Sequence, residues 1–231
     1  MNIKIMTYNI QHCNAHLRGV IDYDLIASAI AKEGADIVGL NEVYGDGGEI
    51  SQAKILADAV GYPYFYFAKA IELRGGRGYG NALLSKYPIS RAQTIPVPDP
   101  DPRRYSEYYE SRVLLKADIA LPSVGTLTLG VIHFGLNPDE AENAVETVLR
   151  ELPCERALLI GDLNLTPDSE ILEPIRARMT DTKTKSPTFP SDAPRIKIDH
   201  IFATPDIKII SHDTPSTVAS DHLPHTAIIE V

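Results

Sequence analysis

Residues 157–164 read ALLIGDLN: four apolar side chains, a glycine, then Asp162, Leu163 and Asn164. A short continuous apolar run bounded by polar residues fits a strand covered on both faces, which requires layers above and below it. In extended backbone Asp162 and Asn164 point to one side and Leu163 to the other, so the strand end offers a carboxylate and an amide together. An Asx turn over residues 161–164 is the competing local reading.

Working outward, residues 138–152 carry helical spacing, with Pro138 near the start and Pro153 just past the end. Strand patterns are expected at residues 3–10, 36–43, 64–70, 81–85, 112–119 and 126–133, with closing strands in IDHIF (198–202) and TAIIEV (226–231). The stretch from 64 to 133 reads as a largely antiparallel meander. Further helical patterns fall at residues 25–30, 52–60 and 169–178. Mixed strands and helices, with too few helices for a βαβ barrel, predict an α/β fold of two sheets packed face to face with helices outside. No Gly/Ser linker, long charge block or low-complexity segment interrupts the pattern, so a single domain over residues 1–231 is expected.

The chain has 31 Asp and Glu against 22 Lys and Arg, a formal net charge of −9. Such a molecule repels a polyanion unless it carries a local basic patch, which disfavours long duplex DNA as a partner. Cys13 and Cys154 stand outside any CxxC or Cys/His cluster, which argues against a disulfide framework and a structural zinc site; both are expected as buried thiols. The opening MNIKIMTYNI lacks a basic region followed by a long apolar run, and no stretch is long and apolar enough to span a bilayer. A cytoplasmic location is the expectation if Met1 is the natural start.

Polar residues suited to chemistry gather where apolar strands end: Asn9 in TYNI, Glu42 in LNEV, His133 in VIHFGLN, Asp162 with Asn164 in GDLN, and Asp199, His200, Asp221 and His222 in IDHIF and SDHLP. Asn9 and Glu42 offer hard oxygen ligands that suit Mg²⁺ and leave positions for water and phosphate. Alternatively they are polar strand ends bonded locally. Asp162 can orient or deprotonate an attacking water, and Asn164 can hydrogen-bond that water or a phosphate oxygen without repelling it. His222, beside carboxylates, can stay protonated and stabilise a pentavalent phosphoryl transition state, with Asp199 orienting it. His133 offers a second positive contact or, like His200, a satisfied structural histidine.

Neither GxSxG nor GxxxxGK[ST] occurs, so water is the expected nucleophile. RGGRGYGN (74–81) reads as a hairpin turn, with a phosphate cradle as its alternative. Residues 99–111, DPDPRRYSEYYES, read as a loop at a cleft rim where Arg103 and Arg104 would pair with phosphate and Tyr105, Tyr108 or Tyr109 would cover an apolar or planar group. A solvated connector is the plainer account.

TYNI, LNEV, GNALLS, the Ser111–Arg112 pair, IHFGL, GDLN, IDHIF and SDHLP appear in an order and spacing that resembles the endonuclease/exonuclease/phosphatase superfamily, from residue 5 to about residue 226. The resemblance implies a DNase I-like four-layer α/β sandwich, two face-to-face mixed β-sheets flanked by helices, with a cleft at one end of the sheets. It also implies a phosphoesterase that uses Mg²⁺ or Mn²⁺. Asn9 and Glu42 look like its metal pair and Asp221 like a further ligand or water-mediated partner. Asp162 is similar to the residue that activates water, Asn164 to its companion at the phosphate, and Asp199 with His222 to the carboxylate–histidine pair. His133, Arg112 and Asn81 match substrate-side positions, and Arg103 and Arg104 are candidates beside them.

Some features depart from the family pattern. HFGLN stands where relatives commonly have HL, and LNEV has asparagine where glutamine usually precedes the glutamate. The tyrosine of abasic-site endonucleases and their long basic loops are not visible. With no tryptophan in the chain, the signature of inositol polyphosphate 5-phosphatases is excluded. A phosphate ester of a small or lipid-derived molecule is therefore the expected substrate. Nucleic acid hydrolysis is the alternative, and a non-catalytic binding module of the same fold is a further one.

Overall fold

The computed structural model describes residues 1–45 and 51–231. In chain order its elements are β1 (Asn2–Asn9), β2 (Asn14–Ala15), β3 (Val20–Ile21), α1 (Tyr23–Glu33), β4 (Ile37–Gly45), α2 (Gln52–Val60), β5 (Tyr64–Leu73) and β6 (Arg77–Ser85). There follow β7 (Ile89–Pro96), β8 (Val113–Leu121), β9 (Gly125–Ile132), α3 (Pro138–Glu151), β10 (Ala157–Asp162), α4 (Glu173–Arg176), β11 (Thr180–Asp181), β12 (Asp199–Ala203), β13 (Lys208–Asp213) and β14 (His225–Glu230). One sheet has the order β13-β14-β1-β4-β6-β5 and the other β11-β12-β10-β9-β8-β7. In each, the two central strands are the parallel pair, β1 with β4 and β10 with β9, and every other pairing is antiparallel.

Side-chain alternation explains the layering. Ile3 and Ile5 of β1 pack with Leu83, Leu129, Val131, Leu158, Ile160 and Ile201 in the core between the sheets. Met6 and Tyr8 point the other way, onto Ile26 and Ile30 of α1 and Leu56 of α2. Leu159 and Phe202 likewise face outward onto Val145 and Val148 of α3. The central strands are thus buried on both faces, as the apolar run at 157–160 predicts. Gly39 marks how closely the sheets approach, since a Cβ there would lie 2.5 Å from Ile160 Cδ1.

The helices begin and end where local chemistry directs. Asp22 accepts the Leu25 amide at 2.9 Å to start α1, which ends at Gly34 in the left-handed region. Ser51 and Gly61 do the same for α2, and Glu140 accepts the Asn137 amide at 3.1 Å in front of Pro138 to start α3.

Several expectations need correction. The strands between 64 and 133 do not form one meander: β5 and β6 belong to the first sheet, and β7, β8 and β9 to the second. A meander and two separate hairpins have the same period-two pattern, so alternation alone cannot tell them apart. The helix expected over 169–178 is a 3₁₀ turn at Glu170–Leu172 followed by the single turn of α4, because Pro174 limits it. Strands β7, β11 and β13 and the β2–β3 hairpin lack strong apolar alternation and escape the sequence reading. Cys13 is a buried thiol, but Cys154 is exposed, since it lies past α3 in the turn before β10. No helix among the described residues is long and apolar enough to cross a membrane.

Candidate active site

At the C-terminal ends of the two parallel pairs the inward-facing side chains change from apolar to polar. Continuing the faces of Ile5, Gly39, Val131 and Ile160 places Asn9, Asn41, His133 and Asp162 in one region between the sheets. All four are almost wholly buried. Asn9 Nδ2 donates to Glu42 Oε1 and to Asp162 Oδ2, each at 3.0 Å, so one amide bridges the sheets. Asp162 Oδ2 also lies 3.5 Å from His133 Nε2 and 3.5 Å from His222 Nε2.

Glu42 reaches this region through a backbone irregularity. Leu40 pairs with Ala82 and Val43 with Gly80, so Asn41 and Glu42 together oppose Asn81, which defines a β-bulge. Glu42 takes φ +57 there. Without the extra residue Glu42 would follow Leu40 onto the helix-covered face; the bulge aims it at the cleft, where its side chain is 22% exposed.

Asp162 and Asn164 do converge, by a different route from the extended one expected. The Asn164 amide donates to Asp162 Oδ1 at 3.0 Å and Asn164 has φ +51, which is an Asx turn. The turn brings Asn164 Nδ2 within 3.1 Å of His133 Nε2 and 3.0 Å of the Phe134 carbonyl. Gly161 makes the approach possible: at φ +149 a Cβ would sit 1.8 Å from the Ile132 carbonyl oxygen.

His222 directs each nitrogen at a carboxylate, Nδ1 to Asp199 Oδ2 at 2.9 Å and Nε2 to Asp162. Burial favours the neutral ring, but Asp199 and Asp162 outweigh it and raise its pKa, so His222 is a cation. Burial raises the Asp162 pKa, and the Asp199 charge adds to that while His222 opposes it. Asp199 is itself held by Thr188, whose Oγ1 accepts the Ile198 and Asp199 amides at 3.2 Å.

His133 departs from the expected positive contact. Burial, Arg112 and His222 hold its pKa well below the ordinary histidine value, so it is neutral. Arg112 Nη1 lies 3.1 Å from its Nδ1 and 2.7 Å from Glu110 Oε1. A guanidinium only donates, so Nδ1 faces a donor, while Nε2 faces both the Asn164 amide nitrogen and Asp162. His200, one residue from Asp199 on β12, points to the opposite face, where Nε2 donates to the Leu165 carbonyl at 2.9 Å and Nδ1 lies 3.6 Å from Asp181. It is the structural histidine of the set.

The remaining candidates fall around this centre. Asp221 is partly exposed and accepts Ser220 Oγ at 3.1 Å. Asn81 is buried and committed at both ends, taking Asn41 Nδ2 at 2.9 Å and donating to the Val113 carbonyl at 2.9 Å. Arg104 pairs with Glu142 and donates its backbone amide to Asp139 Oδ2 at 2.9 Å, and Arg103 stacks on Tyr109 at 4.7 Å. These contacts tie the 99–111 loop to α3. Arg74–Gly76 is the β5–β6 turn, as the hairpin reading expects.

Sequence reading passes over Asn41. Its Nδ2 donates to Asn81 and to the Ile132 carbonyl at 3.0 Å, and its Oδ1 accepts the Asp162 amide at 2.9 Å. It therefore joins β4, β6, β9 and β10 directly beneath the site. Only the position next to Glu42 hinted at it.

The site fits a divalent cation on its own donor chemistry. Asp162, Asp199 and His222 place ligand atoms within 4.8 Å of one another. As a cation, however, His222 has no lone pair to give, and its protons already serve both carboxylates. The hard-oxygen set at the opening, Glu42 with Asn9 and Asp221, suits Mg²⁺ or Mn²⁺ better.

A family model described as the Endonuclease/Exonuclease/phosphatase family matches residues 6–222. Among solved structures, an endonuclease/exonuclease/phosphatase from Beutenbergia cavernae DSM 12333 superposes with a TM-score of 0.83 at 24% identity, covering 100% of this chain and 72% of that one. One from Bacteroides vulgatus gives 0.81 at 22% identity, covering 100% and 99%. A mannosyl-6-phosphatase from Bacteroides thetaiotaomicron VPI-5482 gives 0.76 at 17% identity, covering 99% and 100%. No curated protein matches. The fold is the four-layer sandwich that the motifs imply, and the chain belongs to the endonuclease/exonuclease/phosphatase family.

Proposed function

We propose that this protein hydrolyses a phosphate ester, diester or monoester, by attack of water, with Mg²⁺ or Mn²⁺ held by Glu42, Asn9 and Asp221. The observation that carries the reading is the meeting of Asn9, His133 and His222 on one buried carboxylate, Asp162. Bound there, the cation would neutralise phosphoryl oxygen charge and acidify water. Asp162, with its raised pKa, orients the water and takes its proton. His222 faces the developing phosphoryl charge as a cation, oriented by Asp199. Neutral His133 and Asn164 stand beside the phosphate oxygens without adding charge, with Arg112 packed against His133 Nδ1. Asn81, through Asn41, positions the strand ends and is not a direct substrate contact.

Charge supports a small or lipid-derived substrate. Arg104 and Arg112 are paired with Glu142 and Glu110, and the molecule carries −9, which weighs against a polyanionic track and for a small or lipid-derived ester. The mannosyl-6-phosphatase among the structural neighbours is consistent with a small substrate. Purified protein with Mg²⁺ or Mn²⁺ should be assayed against sugar phosphates, phospholipid head groups, simple diesters and nucleic acids. Metal-stimulated hydrolysis of a small ester is expected. Hydrolysis of nucleic acid alone would make the protein a nuclease, and no hydrolysis of any panel member, by a folded protein, would overturn the proposal.

A further inference from the structure

Exposure rises outward from Asp162, whose side chain is 2% exposed, through Glu42 at 22% to His12 at 27%. That gradient marks one wall of the opening. On it the His12 ring stacks on Tyr44, with centroids 4.5 Å apart and planes 17° from parallel, and the Arg77 guanidinium lies 5.0 Å from the Tyr44 centroid. Tyr79 packs beside them at 5.8 Å.

This group is held in place at a conformational cost. Gln11, His12 and Cys13 have φ of 44, 44 and 62, three consecutive left-handed residues without a glycine. Buried Gln52 joins the two stacked residues through their backbones, donating to the His12 carbonyl at 2.6 Å and accepting the Tyr44 amide at 2.9 Å. His12 Nδ1 stands 4.0 Å from Glu42 Oε2, so the stack begins beside the catalytic carboxylates and runs outward to exposed Arg77. Arg77 has no carboxylate within ion-pair distance among the described residues, whereas Arg18, Arg104, Arg112, Arg150 and Arg176 do.

We propose that His12, Tyr44 and Arg77 form a subsite for a flat ring carried on the substrate phosphate, either an aryl group or a nucleobase. Planar π faces and a guanidinium plane attract such a ring by stacking and cation–π contact, and leave an alkyl group with little to gain. The assignment rests on the phosphoesterase reading for its orientation, with the phosphate at Asp162 and the ring at the stack.

Binding can be measured by calorimetry on the intact protein with Mg²⁺, using as probes three singly charged phosphinates that have only P–C bonds and no ester to hydrolyse: methyl(phenyl)phosphinate, dimethylphosphinate and a 5′-deoxynucleoside bearing a methylphosphinate on C5′. A ring-bearing probe should bind about tenfold more tightly than the dimethyl one, the order of one or two stacking contacts. Arg77→Ala, an exposed change, should remove part of that preference and Tyr44→Ala most of it, while Tyr44→Phe should keep it. The ring-bearing probe that binds more tightly identifies the source as aryl or nucleobase. Equal affinity of the wild type for all three probes would overturn the subsite, as would a preference unchanged in both Arg77→Ala and folded Tyr44→Ala. A ring preference that persists in a protein hydrolysing no ester would sink the proposed function and leave the subsite standing.

Discussion

The two parallel strand pairs occupy the same place in their sheets, yet they deliver different chemical environments. β1 ends in Asn9 and β4 carries Glu42, turned toward solvent by a bulge. β9 and β10 lead to His133 and Asp162, both sealed from water. A partly hydrated carboxylate is open to a cation, the part proposed for Glu42, whereas burial raises the pKa of Asp162, in keeping with the base proposed there. Solvation, set by one extra backbone residue in β4, separates the two roles.

The largest effects should come from the sealed half. Asp162→Asn and His222→Ala are each expected to lower turnover by about a hundredfold or more with the fold retained, measured as kcat beside circular dichroism. The pH profile follows from both raised pKa values. Rate should climb as Asp162 loses its proton and decline only on the alkaline side, where His222 loses its own. A wild-type rate in either folded variant would remove the assigned division of labour.

Asn41→Ala tests whether the two halves depend on one support. It strands the Asp162 amide and the Asn81 amide oxygen, and should cost about 3 kcal/mol in denaturant unfolding. Glu42→Gln probes the hydrated half. It should weaken the metal dependence of activity at least about tenfold, with little change in melting temperature, because a neutral amide attracts the ion less than a carboxylate does. An unaltered metal titration would place the cation elsewhere.

Away from both halves, Asp181 sits with Lys197 at 3.1 Å and His200 at 3.6 Å. Burial pushes its pKa up, but His200 and Lys197 outweigh that and hold it well below the ordinary carboxylate value. A depressed folded pKa contributes stability above the unfolded value, about 3.9, and loses it as pH falls toward the folded one. Melting curves from pH 5 downward should therefore fall more steeply for the wild type than for Asp181→Asn. The smallest effect is expected from joint replacement of Arg103 and Arg104 by Ala. With Arg104 already paired to Glu142, KM should rise about threefold or less and kcat should hold.

Polar residues ending apolar strands are enough to gather most of the candidate site, and the opposite faces of Asp199 and His200 on β12 then separate the one from the other. What alternation could not convey was any event that breaks it. The Asx turn at Asn164 is local and is the alternative that GDLN itself offers, whereas the bulge at Glu42 and the left-handed run at Gln11–Cys13 depend on contacts with chain remote in sequence. Asn41 was hidden for the same reason, since its partners lie on β6, β9 and β10. His133 carries no signal of its protonation state, which burial decides first, with Arg112 and His222 adding to it.

The pairing of β1 with β14 bears on how the protein is made. Asn2 stands opposite Glu230, and the carbonyl of Asn9 is held by Ser220 Oγ at 2.8 Å, across 211 residues of chain. During synthesis the first strand must wait for the last before its sheet has a closed centre, and contacts of such long range form slowly. Asn9 can meet Asp221 and His222 only after the chain between them has been made. A chain cut short before β14 therefore lacks the strand that completes the centre of this sheet, and with it the means of holding Asn9 beside Asp221 and His222.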